Sequence, residues 1–220
     1  MTPTAQQTAS PQRTNGAATG EPHVVKVVAA PDPVKIADPA ALGLAGFALT
    51  TFMLSMVNSG WIDKAVEPAV FAMALTMGGL AQLLAGMWEF RSGNTFGATA
   101  FSGFGAFWLS FWAFVQFYAA DIPKAQAGHA VGLYLLTWAG FTAFMTIASF
   151  GVSRAVNVVF LLLLPTFILL GIGNYGGHPD IIKAGGVVGI LTAVAAVYAA
   201  AASVTNATFG RVVLPTKPLR

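Results

Sequence analysis

Six apolar stretches follow one another along this chain, roughly Pro39–Ser59, Pro68–Trp88, Phe96–Tyr118, Ala130–Phe150, Val156–Ile172 and Ile181–Val204, and the core of none carries Asp, Glu, His, Lys or Arg. A helix of about 20 residues spans a hydrocarbon core of about 30 Å, so each stretch reads as one membrane crossing. The fifth is the shortest, ending by this reading against the glycines at 171, 173, 176 and 177. Hydrophobic residues make up 56% of the chain and charged residues 9%, against roughly 25% charged in soluble domains. One soluble core could not hide that much apolar surface. The fold class predicted is an all-α membrane protein with six transmembrane helices per protomer and both termini cytoplasmic.

The orientation comes from the cations. Arg13, Lys26, Lys35, Arg91, Arg154, Arg211, Lys217 and Arg220 fall on one side of the six spans, and Lys64, Lys124 and Lys183 on the other. Eight against three puts the termini inside by the positive-inside rule. Residues 1–37, rich in Thr, Gln, Ala, Pro and Gly, read as a disordered cytoplasmic tail, 38–207 as the six-helix membrane domain, and 208–220 as a cytoplasmic C-terminal tail. Asp38-Pro39 reads as a helix start, with Asp as N-cap and Pro at the first helical position. Connectors such as Asn58-Ser59-Gly60, Ser92-Gly93-Asn94 and Gly177-His178-Pro179-Asp180 carry turn chemistry. Trp61, Trp88, Tyr118 and Tyr175 fall near span ends, where amphipathic rings favour the interface.

Several function classes drop out. The chain has no cysteine, and its histidines at 23, 129 and 178 stand in tails and connectors without companions at metal-ligand spacing, so no metal and no cofactor is expected. No nucleophile–base constellation, phosphate-cradling loop or dinucleotide fingerprint is visible, which argues against an enzyme. The net charge of +3 is scattered, with no basic stripe for nucleic acid. The partners left are membrane lipid, other copies of the chain and a small solute.

Polar features within the spans are uncharged. Thr50, Thr51, Ser55 and Asn58 lie in the first, Gln82 in the second, Ser110 and Gln116 in the third, and Thr166 in the fifth, with Asn174 just beyond. Ser and Thr readily bond their own helix backbone. Gln82 and Asn174 lack that escape, which leaves helix packing or a polar cavity open for each. Small residues at Ala74/Gly78, Ala81/Ala85 and Gly185/Gly189/Ala193 predict close helix approach, or a pore lined by backbone. The aromatic series from Phe96 to Phe117 covers more than one helical face, so part of it must meet lipid. Glu89 and Arg91, at the end of the second span, suggest an ion pair or a helix-end contact.

The run Asp38-Pro39-Ala40-Ala41-Leu42-Gly43-Leu44 resembles the N-P-A-P-L-G-L signature of the acetate uptake transporter family, the succinate–acetate permease (YaaH/SatP-like) proteins. The resemblance continues through Gly86, Glu89, Gly93-Asn94-Thr95-Phe96-Gly97, Phe107-Trp108-Leu109, Gly132-Leu133-Tyr134, Gly171-Ile172-Gly173-Asn174 and Phe209-Gly210-Arg211, spanning about residues 38–215. It implies six helices per protomer, a homohexamer in the plasma membrane, and a path in each protomer for acetate, succinate or other small carboxylates. Both anion-channel and proton-symport descriptions exist for the family.

By position, the family's hydrophobic constriction corresponds to Phe47, Phe104 and Leu163; the middle residue is commonly Tyr in bacterial members. Substrate-path residues expected on this basis and from their polarity are Asp38, Leu44, Thr50, Gln82 and Asn174, with Glu89 as the one candidate for a proton-linked group. Asp38 replaces the signature Asn and Ala41 its second Pro. Asp remains a good N-cap, but a carboxylate facing the mouth would repel an entering anion. With no acid or base in mid-span, a channel-like passage is favoured over a proton relay. The alternatives are a channel for ammonia, water or glycerol, and a non-transport scaffold or sensor.

Overall fold

The computed structural model describes residues 36–216. The N-terminal tail, apart from its last two residues, and the end of the C-terminal tail lie outside that range. Among the described residues six helices are long and apolar enough to cross a membrane: α1 (Ala40–Asn58), α2 (Lys64–Ser92), α3 (Thr95–Asp121), α4 (Lys124–Ser149), α5 (Arg154–Tyr175) and α6 (Pro179–Phe209). With an even number of crossings, α1 begins and α6 ends on one face, here the terminal side; the other is the distal side.

Helix boundaries follow local chemistry. The Ala40 N–H donates to Asp38 Oδ1 at 2.9 Å, so Asp38 provides the first-turn partner expected of it, although regular helix starts one residue after Pro39. Asn94 caps α3 by accepting from the Gly97 N–H, and Ser153 caps α5 by accepting from the Val156 N–H. The fifth span does not stop at Ile172. It runs to Tyr175 with Gly171 and Gly173 inside it. Those glycines serve packing: a Cβ at 171 would strike Leu136 of α4, and one at 173 would strike Ile182 of α6. The sixth helix, at 31 residues, is about ten longer than a crossing needs.

The helices form a ring. α1 packs along its length against α6, α6 against α5, α5 against α4, α2 against α3, and α1 closes onto α2. Small residues make the tightest contacts, as the intervals suggested: a Cβ at Gly186 would overlap the backbone of Asn58 and Ser59, so α1 and α6 meet backbone to backbone. Between α3 and the α4–α5 pair the joint is different. Rings fill it, with Phe107 5.3 Å from Trp138 and 5.2 Å from Phe167, and Phe104 5.3 Å from Phe141 and 6.0 Å from Phe160. The aromatic series is thus largely interior: Phe101, Phe104, Phe107, Trp108 and Phe111 are buried, while Phe117 is exposed. Large rings hold these backbones apart, and the interior space lies beside them.

Two widened turns were not legible in the sequence. α2 is π-helical over Ala74–Ala81, and α3 over Phe114–Tyr118. The first faces Gly46 and Thr50 of α1, and ends immediately before Gln82. An extra residue per turn rotates everything beyond it, so this segment sets the direction in which Gln82 points.

Candidate functional site

Three cavities succeed one another through the ring. On the terminal side a chamber of about 60 Å³ is bounded by Leu44, Phe47, Gln82, Gly97, Phe104 and Leu163, among others. Next comes a chamber of about 30 Å³ walled by Phe47, Thr51, Ser55, Trp108, Leu163 and Thr166. A vestibule of about 630 Å³ opens to the distal side, with Lys64, Glu67, Asn174 and Lys183 in its wall. Phe47 and Leu163 belong to both inner chambers; Leu54, Asn58, Leu135 and Leu170 belong to both the middle chamber and the vestibule. Neighbouring cavities therefore share walls from one side to the other. At about 10–15 Å³ per water, the middle chamber holds some two water-sized guests.

Phe47 and Leu163 stand where the inner chambers meet, and Phe104, in the wall of the terminal chamber, packs against Phe47. All three are at most 5% exposed, and the rings of Phe47 and Phe104 lie 5.6 Å apart. This junction is apolar on every named side, so an ion passing it would lose hydration without a partner.

Polar groups stand on either side of it. Gln82 is 1% exposed and lines the terminal chamber, yet neither its Oε1 nor its Nε2 has a hydrogen-bond partner. In the middle chamber the Thr51 hydroxyl and the Trp108 Nε1–H are likewise buried and unpartnered. Leaving such a group unpaired costs on the order of 1–3 kcal/mol, so buried polar atoms are as a rule satisfied. Here four of them, on three side chains, border two small cavities in series. Donors and an acceptor are available to a small polar guest.

Other expected residues are distributed differently. Leu44 lines the terminal chamber and Asn174 the vestibule, where the Asn174 Nδ2 donates to the Leu170 carbonyl at 2.8 Å. Thr50 is not in the wall of any of the three cavities. Its hydroxyl donates to the Gly46 carbonyl at 3.0 Å and reaches the Met73 carbonyl at 3.4 Å, joining α1 to α2. Asp38 is exposed outside the terminal chamber, its Oδ2 accepting from the Ser203 hydroxyl of α6 at 2.7 Å. Both carboxylate oxygens are thus engaged, one by its own helix and one by α6. Glu89 is 1% exposed and makes no ion pair with Arg91, which is exposed; its Oε2 accepts from Ser92 at 3.2 Å, and its carboxyl abuts Gly97 in the first turn of α3. It is a helix-end contact, one layer behind the wall that Asn94 and Gly97 give the terminal chamber.

Thr51 and Trp108 were not singled out from sequence as site residues. A signal existed: Phe47, Thr51, Ser55 and Asn58 recur at helical spacing, and all four line the middle chamber. The same spacing links Phe104, Trp108 and Phe111.

A ring of six transmembrane helices around a serial, waisted cavity with unpartnered polar groups defines a membrane pathway protein for a small solute. Its family is shown by comparison: the profile of the GPR1/FUN34/yaaH family matches residues 20–220, and the chain belongs to that family. It is 40% identical over 181 residues to the succinate-acetate/proton symporter SatP of Escherichia coli K12, covering 82% of this chain and 95% of that one. It is also 40% identical to acetate permease A of Emericella nidulans, over 82% of this chain and 66% of the relative. Ammonia transport outward protein 2 of Saccharomyces cerevisiae is 43% identical over 80% of this chain and 65% of its own length. The solved structure of the bacterial acetate channel SatP superposes with a TM-score of 0.77 at 39% identity, covering 83% of this chain and 99% of that one.

Proposed function

We propose that this protein carries acetate and related small carboxylates, succinate among them, across the plasma membrane through the serial cavity of each protomer. Phe47, Phe104 and Leu163 form the gate, the termini are cytoplasmic, and the protomers assemble as a homohexamer. The observation that carries this reading is the pairing of an apolar waist with unpartnered polar groups on both sides. Gln82 offers an amide N–H on the terminal side; Trp108 and Thr51 offer donors in the middle chamber. A carboxylate or its neutral acid exchanges water for these groups, crosses the waist and is rehydrated in the vestibule.

No titratable side chain lines either inner chamber among the described residues. The proton therefore crosses on the substrate, as the neutral acid, and net flux follows the acid gradient. Among the described residues Glu89, one layer behind the chamber wall, is the carboxylate that remains a candidate for proton linkage. Radiolabelled acetate uptake into proteoliposomes tests the function; no uptake above empty vesicles overturns it. In the same assay a Glu89→Gln protein keeps its pH dependence. Loss of that dependence with acetate flux retained would replace channel-like passage by proton coupling through Glu89. The yeast ammonia-transport relative supports one competing substrate, and an ammonium-driven pH jump in those vesicles separates the two.

A further inference from the structure

After its crossing, α6 continues beyond the bundle to Phe209, turns at Gly210 with a left-handed φ of 63°, and the chain runs back along the helix it has just left. The return is held in place. Asn206 Oδ1 accepts from the N–H groups of Val213 and Leu214 at 2.7 and 2.9 Å, and its Nδ2 donates to the Leu214 carbonyl at 2.8 Å. Eight residues before Asn206, the Tyr198 hydroxyl donates to the Pro215 carbonyl at 2.8 Å. One side chain thus satisfies three backbone groups in a segment without secondary structure. These bonds fix the path of the strap and hold Pro215 beside Tyr198. Val212 and Val213 of the strap are exposed.

Between strap and bundle lies a groove of about 520 Å³ on the outer face of α5 and α6. Its walls are Val158, Val194, Ala195 and Tyr198, closed on one flank by Pro215 and Thr216. At its rim stands Arg154, the first residue of α5, exposed and with no carboxylate within ion-pair distance among the described residues. Two positive features coincide there, the guanidinium and the N-terminal end of a 22-residue helix. The groove below is apolar. An apolar slot about one helical turn deep, with a cationic, planar, bidentate head at its membrane-surface end, is complementary to a phosphate carried on the upper part of an acyl chain.

We propose that the α5–α6–strap groove is a binding site for an anionic phospholipid, with its phosphate on Arg154 and an acyl chain along Val158 and Val194. The strap forms the wall that makes this a defined site rather than bulk lipid contact. The eight-to-three excess of cations on the terminal side places the site in the leaflet toward which the chain is already biased.

The test compares phosphatidylglycerol with phosphatidylcholine of the same acyl chains, read by native mass spectrometry of retained lipid and by the thermal unfolding midpoint of the full chain. One arginine near a membrane surface favours an anionic lipid by about fivefold, so wild type retains phosphatidylglycerol about fivefold better. Arg154→Gln brings the ratio near one, whereas Arg211→Gln, outside the groove, leaves it unchanged. Asn206→Ala frees the strap and lowers retention with Arg154 intact, an arm that stands even if Arg154→Gln fails to fold. The proposal is overturned if wild type shows no preference, or if Arg154→Gln keeps it. It is equally overturned if Arg154→Gln alters the oligomeric state irrespective of lipid, since a second copy of the chain would then occupy the groove.

Discussion

The two ends of the central cavity are built on opposite plans. The distal vestibule is ten times the volume of the terminal chamber and has Lys64, Glu67 and Lys183 in its wall. The terminal chamber and its neighbour are small and lined mostly by rings and aliphatic groups; of the polar residues in their walls, Gln82, Thr51 and Trp108 carry unpartnered atoms. A solute in the vestibule keeps its hydration, and its charge is screened by water and salt. In the inner chambers a handful of fixed groups must replace that water, in a medium where each counts for more. Selectivity therefore resides around the waist, and the vestibule governs access.

Substitutions at the two ends should differ accordingly. The largest effect is expected from Gln82→Leu. Removing an unpartnered buried amide leaves the unfolding midpoint unchanged or raised, while acetate uptake falls about tenfold or more, since the amide offers two neutral hydrogen bonds to the guest, each worth on the order of 1 kcal/mol. A parallel loss of both would make Gln82 a packing residue. Leu163→Ala comes next: opening the waist by three carbons should shift the lactate-to-acetate uptake ratio by about tenfold, the scale on which a hydrophobic pocket sorts a small difference in size. An unaltered ratio would remove Leu163 from the gate. Trp108→Phe keeps the ring and deletes the N–H, and uptake is expected to fall about fivefold, as for one neutral hydrogen bond. The smallest effect belongs to the vestibule. Lys183 is already paired with Asp180 at 3.6 Å, both side chains largely exposed, so Lys183→Gln should change uptake by less than about twofold and only at low salt. A larger or salt-independent effect would move part of the selectivity outward.

The same contrast separates what could be read in advance from what could not. The spans were legible because hydrocarbon demands long charge-free runs, and these are unmistakable in a linear sequence. The error at the fifth span is instructive: glycines weigh against helix in water, but in a bundle Gly171 and Gly173 let neighbouring helices close in. Phe47, Phe104 and Leu163 were reached through family resemblance. Without it, nothing distinguishes Phe104 from Phe101 or Phe107, because lipid and helix interface select the same side chains.

Helix rotation is the missing quantity. Thr50 and Thr51 are neighbours, yet successive residues point about 100° apart on a helix. Thr50 ties α1 to α2, and Thr51 faces the middle chamber. A soluble helix would betray its inward face by polarity; a transmembrane helix, apolar all round, does not. Asp38 shows the same limit from another side. Its charge was plain in the sequence, but its engagement with Ser203, 165 residues away, was not.

From its sequence alone this chain was bound to be a six-helix membrane protein, since the absence of charge over six membrane-length runs leaves no other solvent for them. The sequence likewise established the excess of cations on the terminal side and the turn chemistry between spans. Tertiary structure alone decided which of many similar apolar and hydroxylated side chains surround the cavity. It did so through the π-helical turn before Gln82, the ring-filled joint beside α3 and the backbone contact of α1 with α6. Those features fix how each helix is turned about its axis, and in a medium that treats every face alike only packing can set that angle.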